Sequence, residues 1–364
     1  MPTSELTPVM NKTTTLISLI IFLLCACNAS KENKREFGYT TFKNSFASSN
    51  KAFDVFLGMP VRLEYISNSL IIREPQARTL YKILDLESGL VSEFGEKGRG
   101  PNEMLLPISF SDKVQFKFNG YCFDLKKIIT YGIDSLKRGI NRPIQILSNI
   151  DNFSGFLHRI EKAKNSTYFV RAHSFDSSST FFLLDESFKT IIQGGKYPEG
   201  EKFNNLENLS KSLIFQGNLV YNKEIEKGLL FYSKCKGYEA FEIYNNEIIL
   251  KKQILETLPD FEVSDNNPGD VMYSKDNKDG FLCSSSTDNY AYALYSGKSY
   301  NDTNGNIMDL VHGNKIYKFN WDGDLVSIIN LDRNINVFTC VNDSVFYGIN
   351  SEDEPYILKF SITE

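Results

Sequence analysis

The chain has 364 residues, with 40 Lys and Arg against 45 Asp and Glu for a net charge of −5, and 41% of its residues are hydrophobic. That balance excludes a disordered chain and a polytopic membrane protein, and it lacks the clustered positive charge that a nucleic-acid partner requires. Aromatic residues reach 13%, with 28 Phe and 19 Tyr against 1 Trp, a composition that favours strands over helices.

Residues 16–24 (LISLIIFLL) form an apolar run too short to cross a bilayer as a stable helix, with Lys12 before it and small residues after it. This is the pattern of a secretory leader. The stretch Leu24-Cys25-Ala26-Cys27 resembles a bacterial lipobox, with a branched apolar residue three places before the second cysteine and Ala directly before it. It implies a leader over residues 1–26 and lipid attachment at Cys27; an ordinary secretory leader cut nearby is the alternative. One acyl chain holds a protein only marginally, so the several chains of the lipoprotein class are what make such an anchor stable. Residues 1–9 contain Glu5 and no basic residue, which makes Met10, followed by Asn11 and Lys12, the better initiator. Residues 27–50 read as a lipidated polar tether and residues 51–364 as the folded domain. Asn28 stands where an Asp commonly retains lipoproteins at the inner membrane, so the outer membrane is expected, with the domain on its periplasmic or its external side.

Beyond Cys27, the cysteines Cys122, Cys235, Cys283 and Cys340 are widely spaced without a C-x-x-C pair, and buried free thiols are the default expectation. From residue 52 onward the pattern is hairpin after hairpin. Residues 80–85 and 90–94 flank Glu87-Ser88-Gly89. Residues 113–118 alternate apolar and polar side chains and meet Asn119-Gly120, which predicts a type I′ turn. Residues 180–185 pair with 189–193, residues 238–244 with 248–253 around Asn245-Asn246, and residues 315–321 with 325–330 around Asp322-Gly323. The long irregular stretches are residues 196–212, 255–268 and 297–313.

A recurring unit of short strands over this length predicts an all-β fold, a β-propeller of about six four-stranded blades. The blades fall near residues 61–95, 107–133, 156–194, 213–254, 270–331 and 336–362. The last is one strand short, and residues 51–57 are expected to complete it by pairing beside the C-terminal strands, which hides an open edge.

The run Phe94-Gly95-Glu96-Lys97-Gly98-Arg99-Gly100-Pro101-Asn102-Glu103, followed by Pro107, resembles the crossing between blades of NHL-type repeats. Glycines there permit positive φ at a sharp reversal, and Pro101 stiffens the path. This loop, the lipobox and the run from Tyr292-Ala293-Leu294-Tyr295 to Asn320-Trp321-Asp322-Gly323 together resemble the TolB-like six-bladed propeller lipoproteins of Gram-negative bacteria. The resemblance implies a six-bladed propeller and no particular reaction.

Chemistry is thinly written. There is no G-x-S-x-G elbow and no H-E-x-x-H, and the 3 histidines, His158, His173 and His312, are scattered. Amides beside Arg99 offer a small anion nest, and structural crossing is the plainer reading of that loop. Tyr295 and Trp321 are candidate recognition residues for a sugar or peptide, against inter-blade packing and a hairpin turn as their ordinary roles. Asp302, Asn304, Asn306 and Asp309 are rich in oxygen but miss the spacing of an EF-hand loop. The expectation is a non-catalytic binding or scaffold module for a protein, peptide or glycan, held at the membrane by its lipid, with no nucleic acid and no required cofactor. The rival is a calcium-dependent hydrolase or lyase with its ion in the channel.

Overall fold

The structure is a computed structural model that describes residues 36–39, 42–150, 152–264, 266–352 and 354–363. Cys27 and residues 1–26, expected as a leader, lie outside the described residues. No helix among those described is long and apolar enough to cross a membrane. Residues 36–39 belong to an N-terminal unit of their own, in which Glu36 and Tyr39 exchange backbone hydrogen bonds of 3.1 and 2.9 Å.

From Phe42 onward the chain is a ring of antiparallel four-stranded blades. Blade 1 comprises Arg62–Ile66, Ser69–Arg73, Thr79–Asp85 and Val91–Glu96; blade 2 comprises Ile108–Asp112, Lys117–Cys122, Lys127–Gly132 and Gln145–Ser148. Blade 3 comprises Gly155–Lys162, Tyr168–Ser174, Phe181–Leu184 and Thr190–Gly194; blade 4 comprises Gly217–Asn222, Lys227–Tyr232, Gly237–Tyr244 and Glu247–Leu255. Blade 5 is built from Phe281–Ser286, Ala291–Tyr295, Gly313–Phe319 and Leu325–Ile335. Blade 6 has Val337–Cys340, Val345–Asn350 and Tyr356–Thr363, and it takes its outermost strand, Lys43–Phe53, from the other end of the chain.

The closing strand begins at Lys43, ahead of the expected residues 51–57, and so takes in the end of the polar stretch read as tether. Its sequence hides it, because Ala47 is its only buried residue. It runs antiparallel to Tyr356–Thr363, with Ser49 opposite Phe360, and parallel to Leu325–Ile335, with Ser45 opposite Ile329. Blades 5 and 6 are thereby one eight-stranded sheet.

The first strand of each blade is innermost. Neighbouring inner strands touch from blade 2 through blades 3, 4, 5 and 6 to blade 1, and the Ser111 hydroxyl donating to Glu64 joins blades 2 and 1. Between blades lie aromatic cores. Phe94 sits 5.2 Å from Tyr81, 5.5 Å from Phe118 and 5.0 Å from Tyr131 between blades 1 and 2, and Phe169 lies 4.7 Å from Tyr221 and 4.8 Å from Phe241 between blades 3 and 4. Aromatic rings bury large apolar areas and dominate the energetics of such cores.

The predicted turns hold at Asn245 and Asn246, with φ of 51° and 60° as type I′ demands, and at Gly323, with φ of 78°. Asn119-Gly120 is different, because both residues lie inside the strand Lys117–Cys122. The reversal comes earlier, where the Asp112 carboxylate accepts from the amides of Val114 and Gln115 and Phe116 adopts φ of 49°. Asn119 is held by its side chain, accepting from Thr130 Oγ1 at 2.8 Å, and a Cβ on Gly120 would come within 2.9 Å of Met104 Sδ. Packing, not turn chemistry, chose this pair. Residues 255–268, read as irregular, supply a strand, Phe261–Ser264, that pairs with Asn267–Tyr273 as a hairpin inserted between blades 4 and 5. Short helices at Asn208–Ile214 and Ile307–Leu310 interrupt the other two irregular stretches.

Two outcomes test this architecture. A chain beginning at Phe42 unfolds cooperatively in urea, whereas one beginning at Asp54 loses the cooperative transition. Phe94→Ala lowers the unfolding free energy by about 3–5 kcal/mol, measured by the shift in urea midpoint at unchanged slope.

Candidate functional site

Successive residues of a strand point to opposite faces, so residues two apart share one. Arg62-Leu63-Glu64 on the inner strand of blade 1 and Arg159-Ile160-Glu161 on that of blade 3 use this alternation in the same way. Their charged residues line the axis, while Leu63 and Ile160 are buried in the inter-blade cores. Side chains from all the inner strands enclose an axial cavity of about 230 Å³, to which the second strand of blade 1 adds Arg73 and the turn after the inner strand of blade 2 adds Lys113.

Only one ion pair forms in this lining among the described residues. Arg62 Nε lies 2.7 Å from Glu64 Oε1, and the other Glu64 oxygen accepts from Ser111. Arg159 donates to neutral acceptors, the His158 carbonyl at 2.8 Å and Asn218 Oδ1 at 3.1 Å. Arg73 Nε is buried without a hydrogen-bond partner among the described residues. Lys113 reaches over the axis to the blade diametrically opposite, its Nζ donating to the Ser286 carbonyl at 3.3 Å.

Burial dominates the titration of these groups. It pushes the Glu161 carboxyl up to about 7, assisted by Glu64 and against the pull of Arg62, Lys113 and Arg159. It lowers Arg159 to about 10, with Arg62 and Arg73 adding repulsion. Next to the lining, burial brings His158 down to about 4, with Arg171 and Arg159 adding to the fall.

The residues singled out in the sequence stand elsewhere and do not share a site. Arg99 is exposed on the crossing from blade 1 to blade 2. The amides expected there as an anion nest are answered from within, since Gly100 N donates to Glu103 Oε2 at 2.7 Å. Lys127 Nζ donates to the carbonyls of Gly100 and Pro101 at 2.7 and 3.1 Å, so the loop is tied down as a crossing. Tyr295 packs between Phe281 and Tyr317, at 5.4 and 5.5 Å between ring centres. Trp321 is buried and its indole N–H donates to the Asp288 carbonyl at 2.9 Å. Asp302 accepts from Ser299 N at 2.9 Å and Asn306 caps the helix Ile307–Leu310, which is turn and cap chemistry.

His158 and His173 lie on adjacent strands of blade 3, while His312 is buried in blade 5 and bonded to Ser351. Among the described residues no group of three or more His, Cys, Asp or Glu is placed to hold a metal. Cys122, Cys235, Cys283 and Cys340 are free thiols, and burial pushes Cys235 and Cys283 up to about 12. Neither Arg-x-Glu triplet that supplies the channel charges is notable alone in the sequence. Only aligning the inner strands of blades 1 and 3 reveals the repetition.

The description of the TolB-like 6-blade propeller-like family matches residues 37–343. The chain belongs to this family. No curated protein matches it. Among solved structures it is similar to a Bacteroides fragilis protein described as a candidate exported protein, at 12% identity and a TM-score of 0.54, covering 87% of this chain and 95% of that one. It is also similar to the β-propeller domain of Myceliophteria thermophila Cps50, at 12% identity and a TM-score of 0.44, covering 86% and 100%. At such identity the first likeness shows the propeller fold alone.

The raised carboxyl and the lowered imidazole oppose each other in their effect on the propeller's stability. Glu161 binds its proton more tightly folded than unfolded, so its stabilisation is complete below the ordinary carboxylate range and is lost as pH rises through about 7. His158 contributes above its ordinary 6.5 and loses that contribution as pH falls toward about 4. Between pH 6.5 and about 8 Glu161 acts alone of the two. There the wild-type melting temperature falls with rising pH, and Glu161→Gln flattens the fall.

Proposed function

We propose that the chain is a lipid-anchored binding propeller of the cell envelope, in which Cys27 carries the lipid and the axial channel is the recognition site. One observation carries the reading: a polar channel lined from every blade holds cations that have no carboxylate partner among the described residues. Lining groups left unmatched within the protein are suited to being matched by a ligand. Cys283, the one thiol in the lining, is held protonated by its surroundings and is no nucleophile near neutral pH. A calcium-dependent hydrolase fits this lining poorly. Four cations against two carboxylates repel a divalent ion, which needs a cage of oxygen ligands.

The lipobox pattern supports the anchor, and the exported description of the Bacteroides fragilis protein agrees with an envelope location. Asn28 after Cys27 supports placement at the outer membrane. Metabolic labelling with a fatty acid is expected to mark the wild type in the outer-membrane fraction and to leave Cys27→Ser unlabelled; a labelled Cys27→Ser protein defeats the anchor. Chemical crosslinking in whole cells is expected to trap a bound partner or ligand, while panels of esters, lactones and glycosides give no turnover with or without calcium. Turnover on any of them defeats the binding reading.

A further inference from the structure

We infer that the channel is an oxyanion-binding cup, taking a carboxylate or phosphate group on the guanidinium groups of Arg73 and Arg159. The inference rests on the channel being the recognition site and names the chemistry of what enters it. Arg62, Arg73, Lys113 and Arg159 face only Glu64 and Glu161 there, and Glu64 is already committed to Arg62 and Ser111. Three cations therefore stand without an ion-pair partner among the described residues. Arg62 and Arg73 lie close enough to Arg159 to disfavour its charge, a repulsion that an anion among them relieves.

Arg73 adds the second observation. Its buried Nε donates to nothing among the described residues, and an unmet guanidinium N–H is costly in a dry setting. A planar carboxylate or a phosphate offers paired oxygens in the geometry of the guanidinium fork, which a chloride ion does not.

Size and access narrow the ligand. The cavity of about 230 Å³ is smaller than the ~300–1,000 Å³ typical of pockets for drug-sized molecules, so it admits a small anion or the anionic end of a longer ligand. Lys113, bonded to Ser286 of the opposite blade, bars the end of the channel where the inner strands finish. Entry is then from the end where they begin, beside Arg62 and the exposed Val61.

Glu161 tunes the cup. It faces Arg62 and Glu64 of blade 1, Lys113 of blade 2 and Arg159 of its own strand. Blades 4, 5 and 6 present Asn218, serines, Thr339 and the Cys283 thiol, none of them ionised near neutral pH. Protonating Glu161 removes the one carboxylate in the lining that has no cation bonded to it among the described residues, so a carboxylate ligand binds more tightly as pH falls from 8 to 6.

The test is calorimetry and thermal melting of the full lipid-free protein (Cys27→Ser) with inorganic phosphate and with succinate, at matched ionic strength in sodium chloride. At least one of the two is expected to saturate and raise the melting temperature beyond chloride, and the pair distinguishes a phosphate from a carboxylate preference. Arg73→Gln and Arg159→Gln each weaken binding by about tenfold or more, while Glu161→Gln tightens succinate binding at pH 8 and flattens the pH dependence of that binding. Should either arginine variant fail to fold by circular dichroism, Lys113→Gln, in an exposed turn, replaces it and also weakens binding. No saturable effect of either anion at 10 mM, or unchanged affinity in the folded variants, overturns the inference. Such a failure leaves the binding-propeller reading standing if crosslinking still traps a partner, whereas enzymatic turnover removes that reading without touching anion affinity.

Discussion

The ring is held shut by one strand. Lys43–Phe53 hydrogen-bonds along both edges, antiparallel to the C-terminal strand and parallel to the last strand of blade 5. A propeller closed only by packing between its first and last blades relies on non-directional apolar contact. Here the closure has a register, and Ser49 N donating to Asp332 at 3.0 Å adds a side-chain link to it. Residues 43–47 are paired on one edge and residues in 46–53 on the other, so each edge offers less of a template to another chain. The channel depends on this closure, since Arg62 and Glu64 of blade 1 are brought beside Thr339 of blade 6 only when the ring is complete, as the bond from Tyr65 N to Thr339 Oγ1 at 3.0 Å shows.

Strand alternation then decides what the closed ring can do. In each Arg-x-Glu triplet the middle residue is anchored in a core between blades, so the flanking charges have no choice but the axis. The apolar packing that stabilises the ring thus also sets the electrostatics of its centre. Blades 4, 5 and 6 contribute hydroxyls and an amide where blades 1, 2 and 3 contribute charges, which leaves the channel asymmetric around its circumference.

Local features of this fold were legible in the sequence. The blade count, the Asn245-Asn246 and Asp322-Gly323 turns and the crossing that precedes Pro107 all depend on residues adjacent in the chain. Asn119-Gly120 misled because its meaning is tertiary, a space for Met104 instead of a reversal. The closing strand was misplaced because, with Ala47 alone buried, it carries almost no apolar signature. The candidate site was the least legible. It gathers residues from every blade, whereas Tyr295 and Trp321, conspicuous in the sequence, belong to blade 5 and do not line it.

The doubly paired strand also has a consequence for the order of events when the chain is made. Lys43–Phe53 is synthesised first among the blade strands, yet its partners are the final strands of blades 5 and 6, so Ser49 and Asp332, 283 residues apart, cannot meet until synthesis is nearly finished. Such distant pairing makes for slow folding. The early blades, which need only neighbours in sequence, can form while this polar segment waits, and its low hydrophobicity suits it to waiting: an unpaired strand rich in Ser, Asn and Lys stays in solution where an apolar one would aggregate.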